Sequence, residues 1–196
     1  VETEQWYYEA TKEVMQEEGF VLTMDTYRET FLKSNIGAWH LLENTNKDYI
    51  ATLRRKRNDL YASFLKSENI FTKDLSIILN KLNATYKMGI VTSSRKDHFD
   101  IIHKRNNILQ YFDFVITPND FSKSKPNPEP YLLGIQYSGY KDFECIAIED
   151  SERGVLSAKQ ANLFCIAIPN TMTIESDFSK ADIVMDNIDG VMEYLD

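Results

Sequence analysis

The 196-residue chain is long enough for one domain, or for a core carrying a smaller insert, and it can bury a substantial core. Its composition, 43% hydrophobic and 27% charged with only 7 Gly and 5 Pro, excludes collagen-like, disulfide-scaffold and wholly disordered classes. With 22 Lys+Arg against 30 Asp+Glu the net charge is −8, the wrong sign for working on nucleic-acid phosphates or anionic lipid, so any phosphate site is expected to be local.

No apolar run approaches the ~20 residues that a membrane span requires. The first stretch, Val1 to Val14, lacks a basic region followed by an apolar one, so the chain reads as soluble, unexported and cytoplasmic. Residues 3 to about 66 read as helical. Trp6, Ala10 and Val14 recur every four residues, and Gly19 stands where that helix would end. Asp25 is placed to cap a helix carrying Tyr27, Phe31 and Leu32. After the loop 43–47, Tyr49, Leu53, Leu60 and Phe64 share one face of a helix from about Asp48.

From about residue 71 the texture changes. Helical patterns such as Leu75, Ile78, Leu79 and Leu82 alternate with short apolar runs at 88–91, 112–116, 145–148, 164–168 and 182–185. Runs too short for helices, separated by helix-length segments, predict βαβ units and a mostly parallel sheet. Cys-Ile-Ala-Ile occurs at both 145–148 and 165–168 with unlike flanks, which predicts two buried strands rather than a repeat. Cys145 and Cys165 have no second Cys or His at metal-ligand spacing and read as reduced core residues.

In an open α/β sheet, ligands bind at the carboxyl ends of the strands. Three such ends carry polar residues of a kind that work together. Thr92-Ser93-Ser94-Arg95 follows the first run and precedes a helix from about Lys96, a turn whose hydroxyls and N–H groups suit an anion. Lys125, in the run 122–130 rich in proline, is held on a rigid loop, with Pro128 or Pro130 suited to a first helical turn. Glu149 and Asp150 end a third strand, where adjacent carboxylates repel unless a cation or hydrogen-bond donors compensate, and a hard divalent ion such as Mg²⁺ suits oxygen ligands. Each element alone has a plain structural reading as a helix cap or a solvated lysine. The combination in this order is what is specific.

That combination resembles the haloacid dehalogenase superfamily of hydrolases, in particular the subfamily with β-phosphoglucomutase and phosphoglycolate phosphatase. Thr92 in Gly-Ile-Val-Thr matches its second motif. Lys125 before Pro-Asn-Pro-Glu matches its third, and Glu149-Asp150 followed by Ser-x-x-Gly matches its fourth. The resemblance implies an α/β, Rossmann-like, mostly parallel sheet core with a helical cap on its N-terminal side: residues 1–3 a remnant of the core, 4–66 the cap and 67–196 the core. The family's first motif, Asp-x-Asp on the first core strand, does not occur in these residues, where Asp186 and Asp189 are spaced by three. It is expected immediately before Val1, bringing the nucleophile, the acid/base aspartate and one metal ligand. A chain of these residues alone is expected not to catalyse.

The resemblance further implies a Mg²⁺-dependent phosphatase acting on a small phosphorylated metabolite through an aspartyl-phosphate, as a monomer or weak dimer with neither nucleic acid nor membrane as partner. Thr92, Lys125 and Asp150 would be catalytic; Thr92, Ser93 and Lys125 would hold phosphate; Asp150 and Glu149 would hold the metal. Arg95 and Asn127 are placed to touch substrate. Within the cap, Trp39, His40 and the run Arg54-Arg55-Lys56-Arg57 are candidate selectors, although four consecutive positions cover a full turn and cannot all face one cleft. A phosphohexomutase of the same family and a non-catalytic phosphate-binding protein are the alternative readings.

Overall fold

A computed structural model describes residues 1–71 and 75–195. The chain divides into two units, Val1–Phe71 and Thr72–Asp196. Among the described residues no helix is long and apolar enough to cross a membrane.

In the first unit, helix α1 (Glu4–Glu17) buries Tyr8, Ala10, Thr11, Val14 and Met15 along one face. Gly19, at φ +76°, ends it in the left-handed conformation that glycine adopts without steric penalty. The short α2 (Met24–Tyr27) is capped by Thr23, whose Oγ1 accepts from the Thr26 N–H at 3.2 Å. Asp25, the cap expected from the sequence, lies instead inside the first turn, where its charge suits the helix N-terminus. The chain continues through a π-helical turn (Arg28–Lys33) and a 3₁₀ turn (Trp39–Leu41) into the long α3 (Lys47–Ser67). Asn46 caps α3 by accepting from the N–H groups of Asp48 and Tyr49 at 3.0 and 3.2 Å.

The inward face of α3 is Leu53, Arg57, Tyr61 and Leu65, at four-residue spacing. The basic run therefore splits: Arg54, Arg55 and Lys56 are exposed, while Arg57 is 6% exposed. The Arg57 guanidinium lies 4.1 Å from the centroid of the Tyr7 ring and 5.7 Å from that of Trp39. Its Nε donates to Asn58 Oδ1 at 3.0 Å. Trp39 is itself buried in this unit and His40 is exposed, so of the two only His40 is free to meet a ligand from solvent.

In the second unit, α4 (Leu75–Asn83) leads into strand β1 (Gly89–Val91), helix α5 (Lys96–Lys104) and strand β2 (Phe114–Ile116). Helix α6 (Glu129–Ser138) connects to β3 (Ile146–Glu149), followed by α7 (Glu152–Gln160), β4 (Phe164–Ala167), β5 (Ile183–Val184) and α8 (Asp189–Leu195). All strand pairs are parallel, as the alternating pattern predicts. They form a two-stranded sheet β1-β2 and a three-stranded sheet β3-β4-β5, so among the described residues β1 and β3 are each paired on one edge only.

Helix α6 packs on β1, β2 and α7, and its Tyr131 and Ile135 join the core of Ala147, Val155, Ala158, Cys165 and Ala167. One helix thus covers strands of one sheet and the core of the other. The second strand-like repeat, β4, is buried, as read. The first is not fully buried: β3 turns Ala147 and Glu149 inward and leaves Ile146 and Ile148 about two-fifths exposed, because successive strand residues face opposite sides. Both cysteines are free thiols, and burial pushes the Cys165 thiol up to about 12.

The split of the basic run is measurable. Arg57→Ala is expected to lower the stability of the helical unit by roughly 2–4 kcal/mol through lost packing, cation–π contact and hydrogen bonds, while Arg54→Ala stays within about 0.5 kcal/mol. Urea unfolding followed by tryptophan fluorescence checks this, since both tryptophans, Trp6 and Trp39, lie in that unit.

Candidate active site

The carboxyl ends of β1 and β3 carry the polar groups. Beyond β1, the Thr92 N–H extends the ladder to Ile116 O at 3.0 Å, and Thr92 Oγ1 accepts from the Ser94 N–H at 3.0 Å. The hydroxyl thereby shapes the turn into α5. Ser93 at the tip is exposed, and its hydroxyl bonds to no group among the described residues. Arg95 turns to Asp97 at the start of α5 through two bonds, Nε to Oδ1 at 3.1 Å and a terminal nitrogen to Oδ2 at 2.8 Å. Those bonds hold the Asp97 carboxyl down to about 2.

The loop 122–128 is fixed by side chains that look ordinary in the sequence. Glu129 accepts from the N–H groups of Ser122 and Lys123, both at 2.8 Å. Asn127 Oδ1 accepts from the Glu129 N–H at 3.0 Å, and Ser157 on α7 donates to the Asn127 carbonyl at 2.6 Å. Asn127, a candidate substrate contact, is thus half-buried and occupied in starting α6. The Lys125–Pro126 peptide is cis.

This loop directs Lys125 inward, where it is 8% exposed. Its Nζ donates to the Val91 carbonyl of β1 at 2.9 Å and to Glu149 Oε1 of β3 at 2.5 Å, so one ammonium ties the ends of the two sheets together. The same Oε1 accepts from the Tyr131 hydroxyl at 2.5 Å, and Lys125 Nζ lies 4.7 Å from the centroid of the Tyr131 ring. Burial, reinforced by the Glu149 charge, pushes the Tyr131 hydroxyl well above its ordinary value, keeping it a neutral donor. Glu149 Oε2 accepts from Ser151 Oγ at 3.3 Å; Ser151 also caps α7 by accepting from the Gly154 N–H at 3.2 Å.

Asp150 differs from its neighbour. Its side chain is exposed, and Oδ2 accepts from Asn170 Nδ2 at 3.1 Å. Asn170 is itself set by a turn in which its Oδ1 accepts from the N–H groups of Met172 and Thr173. The protein packed around the Asp150 carboxyl, and then the adjacent Glu149 charge, raise it above the usual carboxylate range, with Lys125 opposing. Among the described residues no three His, Cys, Asp or Glu side chains group into a complete metal site. Asp150 offers a solvent-facing carboxylate, which fits a Mg²⁺ that keeps several waters and takes only one or two protein carboxylates. Glu149, expected beside it at the metal, has both oxygens in hydrogen bonds and would reach a metal through water or by releasing a donor.

The structure therefore brings Lys125, Glu149 and the β1 end next to Thr92 together, and leaves Arg95 in its pair with Asp97. Tyr131, Asn170, Glu129 and Ser157 are the supporting residues that the sequence reading does not single out. Glu129 and Gly154 do stand inside the matched motifs, and that was the available signal for them. A Cβ on Gly154 would lie 1.8 Å from Glu149 Oε2, a carboxylate held in place from the other side by Lys125 and Tyr131. Gly154→Ala is accordingly expected to displace Glu149 and to cost about 1–3 kcal/mol by overpacking, read by urea unfolding followed by circular dichroism.

A sequence profile of the family described as haloacid dehalogenase-like hydrolase matches residues 1–168. The chain is 28% identical over 184 residues to the YhcW protein of Bacillus subtilis (strain 168), covering 88% of this chain and 80% of that one. It is 31% identical over 101 residues to validoxylamine A 7'-phosphate phosphatase of Streptomyces hygroscopicus subsp. limoneus, covering 52% of this chain and 47% of that relative. Among solved structures, CbbY from Rhodobacter sphaeroides in complex with phosphate superposes with a TM-score of 0.78 at 21% identity, over 95% of this chain and 88% of that one. The β-phosphoglucomutase of Clostridium difficile gives a TM-score of 0.77 at 19% identity, over 97% and 90%. At these identities the structural likeness speaks for the fold, an α/β, Rossmann-like arrangement. With most of its length matched by the profile, the chain belongs to the haloacid dehalogenase-like hydrolases.

Proposed function

We propose that this chain is the body of a Mg²⁺-dependent phosphatase that hydrolyses the monoester of a small phosphorylated metabolite. The observation that supports it most is Lys125. Its ammonium has three N–H donors, two of which go to Val91 O and Glu149 Oε1, and the described residues supply no acceptor for the third. A buried cation with one donor free, beside the Thr92 turn, suits a phosphoryl oxygen. In a chain of net charge −8, this is the local positive site that a phosphate ligand needs.

In this reading Thr92 and the Ser93 hydroxyl and N–H hold the non-bridging oxygens, and Lys125 neutralises the charge that develops on them. Asp150 holds the metal, with Glu149 as the acidic partner that fixes Lys125. When bound, Mg²⁺ supplies charge neutralisation between a carboxylate nucleophile and the phosphate. The nucleophile is proposed to be an aspartate in a segment preceding Val1. Its oxygen bonds to phosphorus as the bond to the ester oxygen breaks, and the alcohol leaves after protonation by the acid/base aspartate of that segment. Water then hydrolyses the aspartyl-phosphate to free phosphate. The one-edged strands β1 and β3, on either side of the Lys125 bridge, are consistent with one more parallel strand carrying it. Residues 4–66 act as the cap that selects the leaving group, residues 67–196 form the core, and the protein works in the cytoplasm on a small substrate.

The test is phosphate release from a panel of phosphate monoesters by the full-length protein, with and without Mg²⁺. Asp150→Asn is expected to abolish Mg²⁺-dependent turnover with the circular dichroism spectrum unchanged, and undiminished turnover would remove Asp150 from the metal site. Lys125→Ala is expected to lower kcat by about 10²–10³-fold. Isomerised sugar phosphate in place of free phosphate would show a mutase. No turnover on the panel, together with measurable phosphate binding, would show a non-catalytic binding protein.

A further inference from the structure

Resting on the phosphatase reading, we propose that Tyr131 is the positioning residue for Lys125: its hydroxyl and ring hold Glu149 and the ammonium together as one unit and keep Glu149 away from Asp150. The proposal stands on three contacts at one point. Tyr131 OH and Lys125 Nζ converge on the same oxygen, Glu149 Oε1, each at 2.5 Å, and the face of the Tyr131 ring lies beneath Nζ at 4.7 Å. All three side chains are buried.

The electrostatic consequence follows from sharing. A carboxylate oxygen bonded to lysine alone would place its full charge on the ammonium and cancel most of the field that a phosphoryl group could feel. A second donor on the same oxygen takes up part of that charge, so more of the lysine's positive potential remains for an anion. The ring adds attraction for the cation without adding a counter-charge. Geometry follows as well: Tyr131 is the third residue of α6, directly after the loop that carries Lys125, so the helix that starts at Glu129 sets both residues with one rigid element.

The division of the acidic pair also depends on it. Glu149 and Asp150 are adjacent in sequence, and a Glu149 freed from its donors could turn its oxygens elsewhere. With Oε1 taken twice and Oε2 bonded to Ser151 against Gly154, Glu149 is committed to the lysine, and Asp150 is left as the solvent-facing carboxylate.

The experiment compares wild type, Tyr131→Phe, Glu149→Gln and the double variant in the full-length protein, on whichever phosphate monoester it turns over. Tyr131→Phe keeps the ring and loses the hydroxyl. It is expected to lower kcat about tenfold, with KM within twofold of wild type. In the Glu149→Gln background the same substitution is expected to change kcat less than twofold, because the hydroxyl acts through Glu149. Wild-type kcat in Tyr131→Phe, or an equal loss in both backgrounds, overturns the proposal. A readout independent of turnover is the side-chain ¹⁵N resonance of Lys125, assigned by its loss in Lys125→Arg and expected to shift or broaden in Tyr131→Phe. An unchanged resonance overturns the positioning role. A shifted resonance in a protein that hydrolyses no monoester keeps the positioning role and removes the phosphatase reading.

Discussion

A lysine and a glutamate taken out of water together are the constraint around which the α/β unit is arranged. Removing an ammonium and a carboxylate from water costs several kcal/mol per ion, and their mutual attraction offsets that only when the geometry is close and the remaining donors and acceptors are used. Here one donor of the ammonium is left over, and the other positions are used by groups from three elements besides the strand that carries the carboxylate. The Val91 carbonyl comes from the end of β1, Tyr131 from the first turn of α6, Ser151 from the cap of α7, and Glu149 itself from the end of β3. Gly154 leaves the volume in which the carboxylate lies. Each of these local structures supplies one of the contacts that compensate the burial of the pair.

The same interaction explains why two parallel sheets belong to one unit. Ladder hydrogen bonds join β1 to β2 and β3 to β4 and β5, and no ladder joins the two sets among the described residues. The connection is made by the apolar face of α6 and by Lys125, which is bonded to a main-chain carbonyl on one side and a carboxylate on the other. A loop that carries such a lysine has to be stiff. Glu129 folds back onto two N–H groups of that loop, and Ser157 fixes its middle from a different helix. The result is a buried ammonium paired with a carboxylate in an acidic chain, its place set by hydrogen bonds rather than by excess basic residues.

The parts of this arrangement that sequence could reveal are those written locally. A strand, a turn and a helix start are neighbours in the chain, so Thr92, Lys125 and the Glu149-Asp150 pair could be read from residue type and spacing. Tyr131, Asn170 and Ser157 could not, because their partners lie 18, 20 and 30 residues away and their types are ordinary for a helix or a turn. Arg57 was legible in principle: it falls on the four-residue rhythm of Leu53, Tyr61 and Leu65, but its place in a run of four basic residues hid that rhythm. The cap of α2 is Thr23 rather than Asp25 because the hydroxyl two residues earlier reaches the Thr26 N–H. β3 read as a uniformly apolar run, whereas its buried face is the Ala147 and Glu149 face and its two isoleucines point outward.

That pleat also resolves the repulsion anticipated for two adjacent carboxylates. Successive residues at a strand end face opposite sides, so Glu149 enters the core while Asp150 faces solvent. Each is then compensated differently. Glu149 has a full positive charge and a phenol hydroxyl; Asp150 has an amide donor from Asn170. The protein packed around the Asp150 carboxyl, and then the Glu149 charge, raise it, with Lys125 opposing. A divalent ion at Asp150 would act in the same direction as Lys125 already does. One acidic residue thus holds the lysine and its neighbour keeps an outward-facing carboxylate, a division that strand geometry begins and the bonds from Lys125 and Tyr131 to Glu149 complete.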